Sequence, residues 1–266
     1  MDWWIGYLLL GLFVGLFAGM LGIGGGPMLV PLMVIMFSAQ QFPEGRVLHL
    51  ALGTSLATIV FTSLSSIRAH HKRDAVRWDI FRNAAIGLAS GAILGAFLAD
   101  RLNSRYLAIV FVIFVSYSAV QLMRDSKPKA TRQLPGRAGM ASGSGVIGTI
   151  SSMVGAGAGV ITIPLMVMCN VPMRNAVGTS PALGLPIALA GAAGYIYTGL
   201  AEDYLPPLSV GYVYLPALIG IVAGTFITVP LGAKLAHGMP VSRLKTILAI
   251  ILFVLAAKML WSIFPG

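Results

Sequence analysis

Apolar residues run along this chain in long blocks separated by short polar ones. No Asp, Glu, Lys or Arg occurs at 3–43, 47–67, 83–99, 106–123, 138–173, 175–201, 204–233 or 246–257. A helix crosses a bilayer with roughly 20 apolar residues. The pattern therefore predicts an all-α polytopic membrane protein with eight hydrophobic segments. Two blocks, 3–43 and 138–173, are too long for one straight span. Each holds a glycine run: Gly22-Ile23-Gly24-Gly25-Gly26-Pro27 and Gly155-Ala156-Gly157-Ala158-Gly159. Glycine inside a helix costs about 1 kcal/mol relative to alanine, so several in succession predict a broken or re-entrant segment. Pro27 suits the start of a new helix, where its missing N–H would be unpaired anyway.

The blocks repeat. Met20, Gly22, Gly24, Gly26, Pro31, Leu32 and Met33 return as Met153, Gly155, Gly157, Gly159, Pro164, Leu165 and Met166. Ala51-Leu52-Gly53-Thr54-Ser55 returns as Ala176-Val177-Gly178-Thr179-Ser180, and Gly87 and Gly91 return as Gly220 and Gly224. Three blocks in the same order indicate an internal duplication. They divide the chain into a first membrane repeat at 1–123, a basic linker at 124–137 and a second membrane repeat at 138–266. Val160 stands where the first copy has Pro27, so the two copies are not equivalent at the glycine runs.

Charge sets the orientation. The 18 Lys and Arg against 8 Asp and Glu give a net charge of +10. Positive charge crowds the segments 68–82 and 124–137, which marks them as cytoplasmic and places them against anionic headgroups. With 57% hydrophobic and 10% charged residues, no soluble basic domain is left to bind nucleic acid. The counterpart of 68–82 in the second copy, 199–207, carries Glu202 and Asp203 and no cation, as an external loop would. Opposite sides for equivalent loops require an odd number of crossings per copy. A first segment that enters, breaks at its glycines and returns supplies that parity, as do two full spans. Either way the copies are inverted, with the N-terminus outside. The segment 99–105, with Asp100, Arg101 and Arg105, fits an external position poorly.

Inverted repeats with interrupted helices are a recurring transporter plan. A helix starting at each break would aim free N–H groups and a positive dipole end into the interior. The candidate substrate-binding groups are thus Gly24, Gly25, Gly26, Gly157, Ala158 and Gly159 through their backbone, and Thr54, Ser55, Thr179 and Ser180 through their hydroxyls. His49 and Arg174 precede the two GTS motifs and are candidates for a gate or for attracting anions. The plain alternatives are close helix packing through glycine, hydroxyls bonded to their own helix and a snorkelling arginine. Packing is the expected role of Gly11, Gly15 and Gly19 and of Gly87, Gly91 and Gly95.

All eight acids lie outside the hydrophobic segments. Cation pathways and proton relays usually carry intramembrane carboxylates, so the interior favours an anion or a neutral solute. The single cysteine, Cys169, excludes a disulfide framework within this chain. No metal-ligand spacing and no nucleophile–base pair is visible; neither a cofactor nor an enzyme activity is expected.

At Gly19 through Pro31, at Gly53-Thr54-Ser55, and at their copies at 152–164 and 178–180, the sequence resembles the TauE/SafE-like sulfite exporter family, the TSUP transporters. Trp78-Asp79 before the third segment also fits that family, and the likeness runs over essentially the whole chain. It implies a secondary transporter of the bacterial inner membrane that carries a small sulfur-containing anion such as sulfite, sulfoacetate or another sulfonate, bound between the repeats near the midplane. The rival readings are a carrier or channel for a cation or neutral solute, and a membrane assembly factor with no transport role.

Overall fold

The computed structural model describes residues 3–21, 25–123, 133–235 and 241–263. Gly24 and most of the basic linker lie outside this set. Ten helices follow one another among the described residues: α1 (Trp3–Leu21), α2 (Gly26–Ala39), α3 (Val47–His71), α4 (Trp78–Arg101), α5 (Ser104–Met123), α6 (Arg137–Met153), α7 (Gly159–Met168), α8 (Met173–Gly199), α9 (Leu215–Leu235) and α10 (Val241–Ile263). A two-stranded antiparallel turn, β1 (Ser209–Val210) and β2 (Val213–Tyr214), precedes α9. Six helices, α1, α3, α4, α5, α8 and α9, are long and apolar enough to cross a membrane. The eight hydrophobic blocks become ten helices because each over-long block divides: α1 stops at Leu21 and α2 starts at Gly26, and α6 stops at Met153 and α7 starts at Gly159.

Glycine sets both divisions. Gly25, the residue before α2, has φ 72°, and Gly155, just past α6, has φ 59°. A side chain at that φ is strained, so the left-handed turn falls to glycine. The second break closes like a helix C-terminus: Gly155 N–H donates to Ser152 O at 3.1 Å and Ala156 N–H to Ser151 O at 3.0 Å.

The chain returns after each break to the face it came from. At the end of α2, Gln40 Nε2 donates to Tyr7 Oη near the start of α1 at 2.5 Å, and the Phe37 and Tyr7 rings meet edge-on at 6.3 Å. That same face gathers the start of α3, the end of α4 and the turn before α9. Arg46 pairs there with Glu202, Tyr212 Oη donates to Asp100 at 3.2 Å, and Ser104 Oγ donates to Gly45 O. The opposite face holds the α3–α4 turn, where Asn175 Nδ2 donates to Ala75 O at 3.3 Å and Arg174 donates to Arg73 O. Between the two faces α3 runs for 25 residues, about 37 Å at 1.5 Å per residue.

Helix pairing is symmetric under exchange of α1–α5 with α6–α10. The first helix of each half packs on the fourth helix of the other, α1 on α9 and α6 on α4; α3 packs on α8, and α5 on α10. The two swapped contacts run through glycine. A Cβ on Gly11 or Gly19 of α1 would lie 2.3 Å from Ile221 O or 2.2 Å from Val229 O. One on Gly87, Gly91 or Gly95 of α4 would lie 2.1, 2.0 or 2.4 Å from Ala141 O, Gly145 O or Thr149 O. Between apolar helices in lipid no hydrophobic force remains, so backbone approach supplies the van der Waals contact.

The GTS motifs tie the halves together in the same swapped sense. Thr54 Oγ1 accepts the Tyr214 N–H at 3.0 Å, at the start of α9, and Thr179 Oγ1 accepts the Arg77 N–H at 2.9 Å, at the start of α4. Each threonine thus satisfies an opening N–H of the other half's fourth helix, a donor without a carbonyl partner of its own. The core is continuous from α2 through α3 and α8 to α5 and α10. Large apolar side chains such as Ile86, Ile113, Leu189, Ile219 and Val254 are exposed around it, as a belt facing lipid requires.

Gly91→Ala should cost about 1–3 kcal/mol, because its methyl drives α4 off α6. Gly143→Ala, with nothing within 4 Å of the added methyl, should be neutral or gain up to about 1 kcal/mol. Thermal unfolding of the two variants in detergent, compared with the parent, checks the contrast. Thr179→Val and Thr54→Val keep shape but orphan a buried N–H, so each should lose about 1–3 kcal/mol of stability; melting temperatures unmoved by both would contradict the brace.

Candidate functional site

The two breaks touch. A Cβ on Gly26 would lie 2.6 Å from Gly155 O and 2.9 Å from Ala156 Cα. Ser55 Oγ donates to the same Gly155 carbonyl at 2.8 Å. Gly155 O would otherwise be an unpaired acceptor at membrane depth, where each unsatisfied backbone group costs several kcal/mol. Ser55 of one half therefore secures the break of the other.

Beside this junction a cavity of about 30 Å³ opens among Ile59, Thr62, Ser63 and Ser66 of α3, Gly157, Ala158 and Gly159 at the start of α7, and Ser180, Pro181 and Gly184 of α8, with Ala18 and Val229 at its edge. That volume exceeds the 10–15 Å³ or so needed to seat one water. Its polar groups are of two kinds. The first is the opening turn of α7: Ile161 N–H and Thr162 N–H both bond Ala158 O, at 3.2 and 2.9 Å, so the Gly159 N–H precedes the first intrahelical bond. The second is hydroxyl. Ser63, Ser180 and Thr62 are buried, Thr62 Oγ1 donating to Ile59 O at 3.2 Å. Ala158 N and Ser63 Oγ are each 3.6 Å from the point where a Gly184 Cβ would stand. No charged side chain lines the cavity. Partial positive charge from the helix end, with hydroxyl donors, can hold a small anion without a counter-ion.

The half-sites differ as Pro27 and Val160 predict. The start of α2 carries Pro27, which has no N–H, and the space beside Gly25, Pro27 and Met28 is lined by Phe17, Leu122, Val160, Leu248 and Leu252. That space is apolar. The start of α7 has no proline, and its Gly159 shares a cavity with hydroxyls.

Of the residues singled out in the sequence, Gly157, Ala158, Gly159 and Ser180 come together at the cavity. Gly25 and Gly26 form the neighbouring break, Ser55 is bonded to Gly155, and Thr54 and Thr179 are the cross-braces. Gly24 falls outside the described residues. His49 and Arg174 occupy opposite faces, away from the cavity: His49 is fully buried with Nε2 3.0 Å from Ala99 O, while Arg174 is exposed. Thr62, Ser63 and Ser66 were missed. With Ile59 they fall at i, i+3, i+4 and i+7, a single helical face, and that spacing was the available signal. Missed too was the cluster around Arg46 and Glu202. Arg46 meets Glu202 through two hydrogen bonds, Nε to Oε2 at 3.1 Å and Nη2 to Oε1 at 2.5 Å. Burial holds the Tyr212 hydroxyl well above the usual phenol range, with Arg46 opposing, so it stays a donor to Asp100. Among the described residues no group of three His, Cys, Asp or Glu could hold a metal.

Comparison with known proteins agrees with this architecture. The model of the sulfite exporter TauE/SafE family matches residues 7–259. A probable membrane transporter protein of Haemophilus influenzae is 35% identical over 255 residues, covering 95% of this chain and 96% of the relative. The probable membrane transporter protein YdhB of Bacillus subtilis is 30% identical over 248 residues, covering 88% and 90%, and one of Methanocaldococcus jannaschii is 26% identical over 255 residues, covering 95% and 94%. No solved structure matches the chain. The relatives are transporters rather than enzymes, and like this chain they align from end to end. With six helices able to cross a membrane and a family match over nearly its full length, the chain belongs to the sulfite exporter TauE/SafE family of multi-pass membrane transporters.

Proposed function

We propose that the protein is a secondary transporter for a small sulfur-containing oxyanion, sulfite or a sulfonate such as sulfoacetate, held in the cavity at the start of α7. One observation carries this reading: the opening turn of α7, at Gly157, Ala158 and Gly159, shares a cavity lined by no charged side chain with the hydroxyls of Thr62, Ser63, Ser66 and Ser180. An oxyanion offers several acceptor oxygens to such donors, whereas a cation would meet the positive end of a helix with no carboxylate to offset it. The family's description as sulfite exporters supports the same substrate class.

The remaining candidates take supporting roles. Gly25, Gly26 and Ser55 hold the junction of the breaks in shape, and Thr54 and Thr179 fix where the fourth helices begin. Residues 1–123 and 138–266 form the two repeats, inverted in the membrane, so that rocking of one against the other exposes the cavity to each side in turn. The α3–α4 turn faces the cytoplasm, where Arg68, Lys72, Arg73 and Arg77 meet anionic headgroups.

Gly184 gives the cleanest test. A methyl there meets nothing closer than 3.6 Å, an ordinary contact, yet it projects beside Ala158 N and Ser63 Oγ. Gly184→Ala should leave the melting temperature nearly unchanged and cut uptake of radiolabelled sulfite into proteoliposomes about tenfold, equivalent to about 1.4 kcal/mol. Ser63→Ala and Ser180→Ala, each removing one hydrogen bond to a charged ligand, should weaken it by about 1.5–3 kcal/mol. Full sulfite flux in all three would remove the cavity from the transport path, and flux of a cation in place of the anion would establish the rival reading.

A further inference from the structure

Among the described residues, His49 is the one fully buried side chain of the Asp, Glu, Lys, Arg and His set. An ionisable group buried at membrane depth calls for a function. Ala99 O can only accept, so the imidazole nitrogen 3.0 Å from it, Nε2, is the one that carries hydrogen. Nδ1 then presents a bare lone pair, and it has no hydrogen-bond partner. This is an unfilled proton site inside the protein, about 20 Å along α3 from Ser63 at 1.5 Å per residue, and so outside the anion cavity.

What surrounds His49 is a closure. Tyr212 lies over the ring with centroids 5.2 Å apart, and its own ring meets Tyr195 of α8 at 6.3 Å. Tyr212 Oη donates to Asp100, the residue after Ala99. One turn before His49, Arg46 grips both carboxylate oxygens of Glu202 through one guanidinium edge, Nε and Nη2. That grip joins the α2–α3 loop to the loop after α8, two segments 156 positions apart. The charged and titratable groups facing His49 are thus Arg46, Asp100, Glu202 and Tyr212.

We propose, resting on the transport reading above, that His49 is a proton-binding switch in the outer gate and that external acid opens this gate. A proton from outside adds to Nδ1, forming one N–H bond and leaving an imidazolium with two donors. The new charge repels Arg46 and competes with it for Glu202. The clasp between the two loops loosens, and the outer side of the bundle is freed to part. Loss of the proton restores the clasp.

The test reads the gate without needing the transported anion. Thr198, buried in the last turn of α8 beneath the loop that carries Glu202, is replaced by cysteine in a Cys169→Ser background and exposed to a membrane-impermeant maleimide from the outside. Maleimide chemistry by itself slows in acid, because the thiolate is depleted. Labelling rates are therefore divided by that of a free thiol at the same pH, and the switch predicts a corrected rate about threefold or more higher near pH 5 than near pH 8, a span wide enough for a buried imidazole to gain its proton. His49→Gln, which keeps an N–H for Ala99 O and cannot titrate, should abolish the acceleration, and Glu202→Gln should label fast at both pH values. A corrected rate that does not rise in acid in the parent, or an acid rise that survives His49→Gln, overturns the proposal. A separate arm measures sulfite exchange in the same vesicles: exchange absent while the labelling pattern holds removes the substrate reading and leaves the switch standing.

Discussion

A broken helix at membrane depth leaves backbone carbonyl and N–H groups with no water to satisfy them, and the structure is arranged around that deficit. Gly155 O is taken by Ser55 Oγ, the carbonyls of Ser151 and Ser152 by the glycine turn, and Gly26 fits against the second break because it has no side chain. The donors left over, at the opening turn of α7, face hydroxyls in a cavity. The helix start at the second break thus borders a polar cavity, and the proposed ligand is the group that would complete it. In lipid this constraint outranks helix propensity, which would disfavour runs of glycine by only about 1 kcal/mol per residue.

The symmetry of the fold makes its asymmetry informative. The same swapped helix pairs and the same threonine braces occur in both halves, yet the two helix starts have different surroundings. Pro27 removes an N–H from α2, and Phe17, Leu122 and Leu248 cover that end with hydrocarbon; α7 starts without a proline, and Gly159 at its start shares a cavity with serines. Equivalent scaffolds carrying unequal linings are consistent with a single polar site displaced toward one repeat.

Much of this was legible in the sequence, for reasons that are physical. Charge-free blocks gave the helices because lipid forbids unpaired charge, and the glycine runs gave the breaks because helices tolerate such runs poorly. Packing through Gly11, Gly19, Gly87 and Gly91 followed from their spacing. The hydroxyls were harder to read. Thr54 and Thr179 stood out as a repeated pair, but a sequence does not show whether an oxygen points to a ligand or to the start of another helix. Ser63 and Ser66 did not stand out at all, since most hydroxyls in such helices bond their own turn, as Thr58 does to Thr54 O and Ser118 to Phe114 O. Contacts such as Arg46 with Glu202 join distant segments, and no local pattern announces them.

The reciprocal threonine bonds bear on how this chain is made. Synthesis proceeds from the N-terminus, so α4 enters the bilayer before α8, which carries the acceptor for its opening N–H, and α1 waits for α9 nearly to the end of translation. Neither half can complete its own interior, and the first must persist half-finished, with glycine-lined grooves open to lipid, until the second arrives. Insertion and completed packing are therefore separate events here, since α1 and α4 each find their main packing partner among α6–α10.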